Sequence, residues 1–130
     1  KLNPIKEAIK GKKIILIDDS NVRGTTSKQL LDLVKEAEPA EIHFLVGCPP
    51  VIAPCYYGVA MATKKELIAA NYSVEEIQEQ LEIDSLGYIT LPALVEAIGM
   101  GEEKLCLGCL NEDYPTELPE GLEAETYYKP

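Results

Sequence analysis

Ile14-Ile15-Leu16-Ile17-Asp18-Asp19-Ser20-Asn21-Val22-Arg23-Gly24-Thr25-Thr26-Ser27 is the stretch from which the fold is read. Its four leading aliphatics form an unbroken apolar run, which suits a strand of a parallel sheet covered on both faces. Beyond the polar segment, Leu30, Leu31, Val34 and Ala37 recur at helical spacing and predict an amphipathic helix over about residues 26–38. Glu41 to Gly47 reads as the next strand. Strand, helix and strand joined by short connections make a right-handed crossover unit, so the fold class is α/β, a parallel sheet flanked by helices.

In an open parallel sheet, ligands bind beyond the carboxyl ends of the strands. Two carboxylates, Asp18 and Asp19, stand there, followed by Gly24 and three hydroxyl residues that open a helix. Glycine lets the backbone approach a ligand closely. The free N–H groups of the first helical turn, with the hydroxyls of Thr25, Thr26 and Ser27, form an anion cradle that suits a terminal phosphate. Carboxylates cannot face the same phosphate, so they serve another part of the ligand, such as sugar hydroxyls or a bound Mg²⁺. Phosphate at one end with diol and metal nearby describes a ribose 5-phosphate activated at C1. An acidic pair after an apolar strand also occurs in receiver domains, but those carry their acceptor Asp at the end of a later strand, and the next strand here ends Val46-Gly47-Cys48.

Working outward, Pro49, Pro50 and Pro54 impose an irregular loop. Two short helices follow, each with a capping box: Thr63 with Glu66, and Ser73 with Glu76. Leu86 to Ile89 reads as a short strand. Thr90 caps a last helix that Gly99 ends, and Cys106 and Cys109 fall in an extended, irregular tail. His43, the one histidine, sits in a strand and is expected to be packed there.

The 130 residues suffice for one domain, and the net charge of −10 argues against a nucleic-acid partner. That charge is uneven: residues 1–28 hold seven basic side chains against three acidic ones, and the single Arg, Arg23, lies in the loop. A locally positive anion site and plain surface scatter of lysine both explain it. No apolar run approaches the length of a membrane span, and no signal-peptide pattern opens the chain, so a cytoplasmic protein is expected. The four cysteines have neither the density nor the context of a disulfide framework. Cys-x-x-Cys offers two soft ligands on one short loop, usable by zinc or iron–sulfur.

The loop's spacing resembles the phosphoribosyl pyrophosphate (PRPP) loop of type I phosphoribosyltransferases. Further along come Pro54-Cys55-Tyr56-Tyr57-Gly58, Glu66-Leu67-Ile68-Ala69, Ser73-Val74-Glu75-Glu76-Ile77, Asp84-Ser85-Leu86-Gly87-Tyr88, Cys106-Leu107-Gly108-Cys109 and Tyr114-Pro115. In this order they resemble the C-terminal portion of the amidophosphoribosyltransferase family. The resemblance implies residues 1–100 as part of a type I phosphoribosyltransferase domain and residues 101–130 as its cysteine-bearing tail. It implies Asp18 and Asp19 as Mg²⁺ and ribose ligands, with Ser20, Arg23, Gly24, Thr25, Thr26 and Ser27 completing the PRPP site; no catalytic residue is assigned. It also implies Cys55, Cys106 and Cys109 as three ligands of a [4Fe–4S] cluster whose fourth ligand lies elsewhere, with Cys48 left structural.

The family makes phosphoribosylamine from PRPP and glutamine at the start of purine synthesis. Its glutaminase part is absent here, so the chain is expected to work only with that upstream part, in one polypeptide or as a separate subunit, and to form oligomers. The competing reading is a non-catalytic PRPP- or nucleotide-binding module. Two positions depart from the family pattern: Asn21 stands where an apolar residue is usual, and Ala60 replaces a common Asp.

Overall fold

The computed structural model describes residues 3–59 and 63–118, so Ala60 lies outside the described residues. A one-turn helix, α1 (Lys6–Ile9), precedes strand β1 (Lys13–Asp18), helix α2 (Thr25–Lys35) and strand β2 (Glu41–Val46). A 3-10 turn (Lys64–Glu66) then leads to α3 (Ile68–Asn71), α4 (Val74–Leu81), strand β3 (Ser85–Tyr88) and α5 (Leu91–Ile98). A second 3-10 turn (Glu102–Lys104) and a last helical turn, α6 (Gly108–Asn111), complete the order.

The three strands form one parallel sheet in the order β1-β2-β3. Each strand of β1 and β2 advances in step, from Lys13 opposite Glu41 to Asp18 opposite Val46. Beyond the last pair, the Gly47 N–H donates to the Asp18 carbonyl (2.9 Å), so the ladder extends to the point where the acidic pair begins. Asp84 lengthens the other seam: its carboxylate accepts from the Ile42 N–H (2.7 Å) while its own N–H donates to the Ile42 carbonyl (3.0 Å).

One face of the sheet is closed. Ile42, Phe44 and Val46 point to it and pack with Leu31 and Val34 of α2 and Ile77 and Leu81 of α4. Phe44, Leu31 and Ile77 are fully enclosed, and a Phe→Ala truncation at such a site costs about 3–5 kcal/mol.

The opposite face corrects the expectation that β1 is covered twice. Ile14 and Leu16 pack against the core, but Ile15 and Ile17 remain 65% and 73% exposed, and Leu45 beside them is also exposed. Successive strand side chains alternate between faces, so an all-aliphatic run buries only half its members when helices cover one side. β1 also pairs with β2 alone among the described residues, which leaves its outer edge open.

Two helix ends differ from the periodic pattern. The helix read over 26–38 stops at Lys35, because Glu38 is left-handed (φ 58) and precedes Pro39, which disfavours helical backbone before it. The Thr63–Glu66 capping box forms, but on a 3-10 turn rather than on an α-helix. The box of Ser73 and Glu76 heads α4 as read, Thr90 caps α5 and Gly99 ends it (φ 71). His43 is half-buried and bonded to Ser85 (2.8 Å) and Glu41 (3.2 Å), a packed strand histidine.

Candidate functional site

The loop from Asp18 to Gly24 connects the carboxyl end of β1 to the start of α2. Together with Thr26 and Ser27 it lines an open cleft of about 290 Å³. Asp18, Asp19, Ser20, Arg23, Gly24, Thr26 and Ser27 are thus brought together. Thr25 is not: it is exposed on the neighbouring hollow, which it shares with Arg23, Gly24 and Lys28.

Backbone geometry sets the loop's polarity. Gly24 occupies the position before the helix in left-handed conformation (φ 74), and no side chain caps α2. The first bond of the helix runs from the Lys28 N–H to the Gly24 carbonyl (2.8 Å), which leaves the N–H groups of the first turn without a helical partner. Those donors carry the positive end of the helix dipole, with Arg23 and Lys28 as neighbouring full charges. The acidic pair is fixed in turn: the Asp19 N–H donates to the Asp18 carboxylate (3.0 Å), and the Ser20 hydroxyl donates to the Asp19 carboxylate (3.1 Å).

The loop is held from behind by α3. The Ile68 N–H donates to the Val22 carbonyl (2.9 Å), and the Ile68 side chain lies against Gly24 so closely that a Cβ there would sit 2.5 Å from its Cδ1. Glu66 lies 3.7 Å from the Arg23 guanidinium. Inside the loop, Asn21 bridges Ser27 and Tyr88; burial pushes the Tyr88 hydroxyl pKa up, against the opposing effect of its bond to Asn21.

The chain is 56% identical over 122 residues to an amidophosphoribosyltransferase of Methanothermobacter thermautotrophicus, covering 94% of this chain and 26% of that protein. It is 51% identical over 118 residues to an amidophosphoribosyltransferase of Methanocaldococcus jannaschii, covering 91% of this chain and 25% of that protein. Among solved structures, glutamine PRPP amidotransferase from B. subtilis complexed with ADP and GMP superposes with a TM-score of 0.85 at 33% identity, over 95% of this chain and 28% of that one. The chain belongs to the amidophosphoribosyltransferase family. Its sheet and helices are part of that family's type I phosphoribosyltransferase fold. It spans about a quarter of the length of the curated relatives it matches. No protein-family model matches it.

The cysteine-bearing tail folds back on the body. Both the Ile52 and Ala53 N–H groups donate to the Cys109 carbonyl (2.9 and 3.1 Å), and the Tyr114 hydroxyl donates to the Pro54 carbonyl (2.8 Å). Cys109 lies in a helical turn rather than in extended chain, a correction to the sequence reading. Gly108 permits this fold, since a Cβ there would meet the Tyr114 ring at 2.3 Å.

All four thiols are free, and Cys109 feels Cys48, Cys55 and Cys106 electrostatically. Burial first, then those neighbours, raise the Cys109 thiol above its ordinary range. Burial also raises the Cys48 thiol, with the Asp19 carboxylate as the second cause. Among the described residues, no three Cys, His, Asp or Glu side chains are gathered as a metal site.

Reading the residues alone missed Ile68, Tyr88 and the structural task of Asn21. Nothing in local spacing links positions 67 residues apart. The one available signal was an amide at position 21 in a place that favours an aliphatic, since a buried amide requires partners.

Proposed function

We propose that the cleft binds PRPP with Mg²⁺, and that the chain supplies this site to an amidophosphoribosyltransferase that makes phosphoribosylamine from PRPP and glutamine-derived ammonia at the start of purine synthesis. The observation that carries the reading is the uncapped start of α2 opening into the same cleft as two carboxylates. Unpartnered N–H groups and Arg23 receive the 5-phosphate. Asp18 and Asp19 accept from the ribose hydroxyls or hold the metal, for which paired carboxylate oxygens are suitable hard ligands. Mg²⁺, when bound, neutralises the pyrophosphate leaving group. The fixed carboxylates and loop dipoles hold the sugar and favour the positive charge that develops at C1 as that group departs.

ADP and GMP in the B. subtilis relative support a nucleotide as a competing occupant of the loop. The bare face of Ile15, Ile17 and Leu45 and the open edge of β1 support a further partner: the remaining transferase and glutaminase parts, in one polypeptide or as a separate subunit. A tight, well-folded monomer of this chain by size-exclusion chromatography would count against that partner.

Calorimetric titration with PRPP and Mg²⁺ tests the site. Wild type is expected to bind, with ribose 5-phosphate competing, while Asp18→Asn combined with Asp19→Asn binds much more weakly. Equal affinity in that double variant removes the proposed sugar and metal role.

A further inference from the structure

Asn21 and Ser27 are the buried polar side chains of this molecule among the described residues, each 3% exposed, and both belong to the loop. The Ser27 hydroxyl donates to the Asn21 Oδ1 (3.0 Å), and the Asn21 Nδ2 donates to the Tyr88 hydroxyl (3.1 Å). Ser27 also lines the cleft. A serine has one hydroxyl proton. With that proton directed inward, the Ser27 hydroxyl shows the cleft only lone pairs, which repel an anion.

The geometry contains its own remedy. The two ends of an asparagine amide are almost identical in shape and opposite in hydrogen-bond sense. Turned over, the Asn21 amide places Nδ2 toward Ser27 and Oδ1 toward Tyr88, whose hydroxyl donates as readily as it accepts. The chain of bonds then runs from the Tyr88 O–H to the Asn21 Oδ1, from the Asn21 Nδ2–H to the Ser27 Oγ, and from the Ser27 O–H into the cleft. Both internal bonds survive the reversal, and one donor is gained for an anion.

We infer that Asn21 is a positioning residue for the phosphate: a reversible amide, backed by Tyr88, that turns Ser27 from an inward donor into a donor to the bound anion. This rests on the reading of the cleft as a 5-phosphate site. Its signature is polar and directional. A role confined to packing would hold Ser27 in place without any reversal of the amide when ligand enters.

The test is carried out on the intact protein, with ribose 5-phosphate and inorganic phosphate as probes. In wild type, the ¹⁵N–¹H₂ resonances of the Asn21 side chain, assigned through Asn21→Leu, shift as ribose 5-phosphate saturates the cleft, and remain unshifted in Ser27→Ala. By calorimetry, Ser27→Ala weakens ribose 5-phosphate about tenfold, the scale of one lost bond to a charged group. Asn21→Leu weakens it by a smaller factor, about threefold, and the double variant is no weaker than Ser27→Ala, because both changes act through one hydroxyl.

An Asn21 amide signal that stays fixed at saturation overturns the inference, as do effects of the two substitutions that multiply. With the Asn21 side chain assigned independently through its own backbone resonances, the wild-type measurement stands even if a variant fails to fold. Wild type that binds neither probe overturns the phosphate-site reading itself, whereas wild type that binds with an unmoved amide overturns only the role of Asn21.

Discussion

Replacing Gly24 by Ala probes the loop's backbone and its support at once. Gly24 is left-handed (φ 74), a conformation that costs an L-residue about 1–2 kcal/mol relative to glycine. The new Cβ also meets the Ile68 Cδ1 at 2.5 Å. That atom ends a flexible side chain, so Ile68 moves rather than the backbone, at about 0.5–1.5 kcal/mol for an off-rotamer torsion. The expected destabilisation is about 2–3 kcal/mol, measured by urea unfolding with an unchanged slope. Ile68→Val deletes the clashing methyl and alone costs about 0.5–1.5 kcal/mol. Added to Gly24→Ala, it should cost close to nothing, because the methyl it removes is already strained there. The φ penalty persists in the double variant. A neutral Gly24→Ala, or a double variant whose losses simply add, would refute the account of how α3 holds the loop.

Three further outcomes are expected. Glu38 is held down to about 2 by its bonds to Lys10 and then Lys6, so its NMR titration should fall far below the usual carboxylate range and return toward it in Lys6→Ala with Lys10→Ala. Because the folded pKa is lowered, the stabilisation is complete above the ordinary carboxylate pKa near 4.5 and fades as pH falls toward 2; a Glu38 midpoint near 4.5 in wild type rejects the pair of contacts. Asp84→Ala strips the Ile42 N–H of its acceptor at the β2–β3 seam and should cost about 1–3 kcal/mol, read as a lowered urea midpoint, whereas Asp84→Asn, which keeps an acceptor oxygen, should recover most of it. Anaerobic iron and sulfide analysis with visible absorption tests the [4Fe–4S] proposal for Cys55, Cys106 and Cys109; an iron-free, colourless protein after reconstitution together with its fourth-ligand partner would reject it.

Much of the scaffold was legible because its signals are local. Capping boxes at Thr63 and Ser73, the Thr90 cap and the Gly99 stop depend on neighbours a few residues away, and each forms. The loop was legible for the same reason: strand end, acidic pair, glycine and helix start follow one another along the chain. The early end of α2 was written in Glu38-Pro39, a local rule that helical periodicity overrode. What stayed hidden was long-range. The Asn21–Tyr88 bond, the seat of Ile68 on Gly24 and the return of Tyr114 to Pro54 join residues far apart, and no spacing rule encodes them. The bare side of β1 was hidden for another reason. Four consecutive aliphatics say that both faces tolerate apolar neighbours, not that both neighbours belong to this stretch of chain.

That same aliphatic run has a consequence for the acidic pair. A strand that alternates polar and apolar side chains cannot slide by one position without turning its greasy side to water, but Ile14, Ile15, Leu16 and Ile17 are nearly interchangeable in that respect. Main-chain bonds mark both ends of the strand as well. The Lys12 carbonyl accepts the Ala40 N–H at one end, and the Asp18 carbonyl accepts the Gly47 N–H at the other. The carboxylates therefore stand where the β1–β2 ladder runs out, at a border marked by main-chain bonds and by the seating of Ile14 and Leu16 on the core.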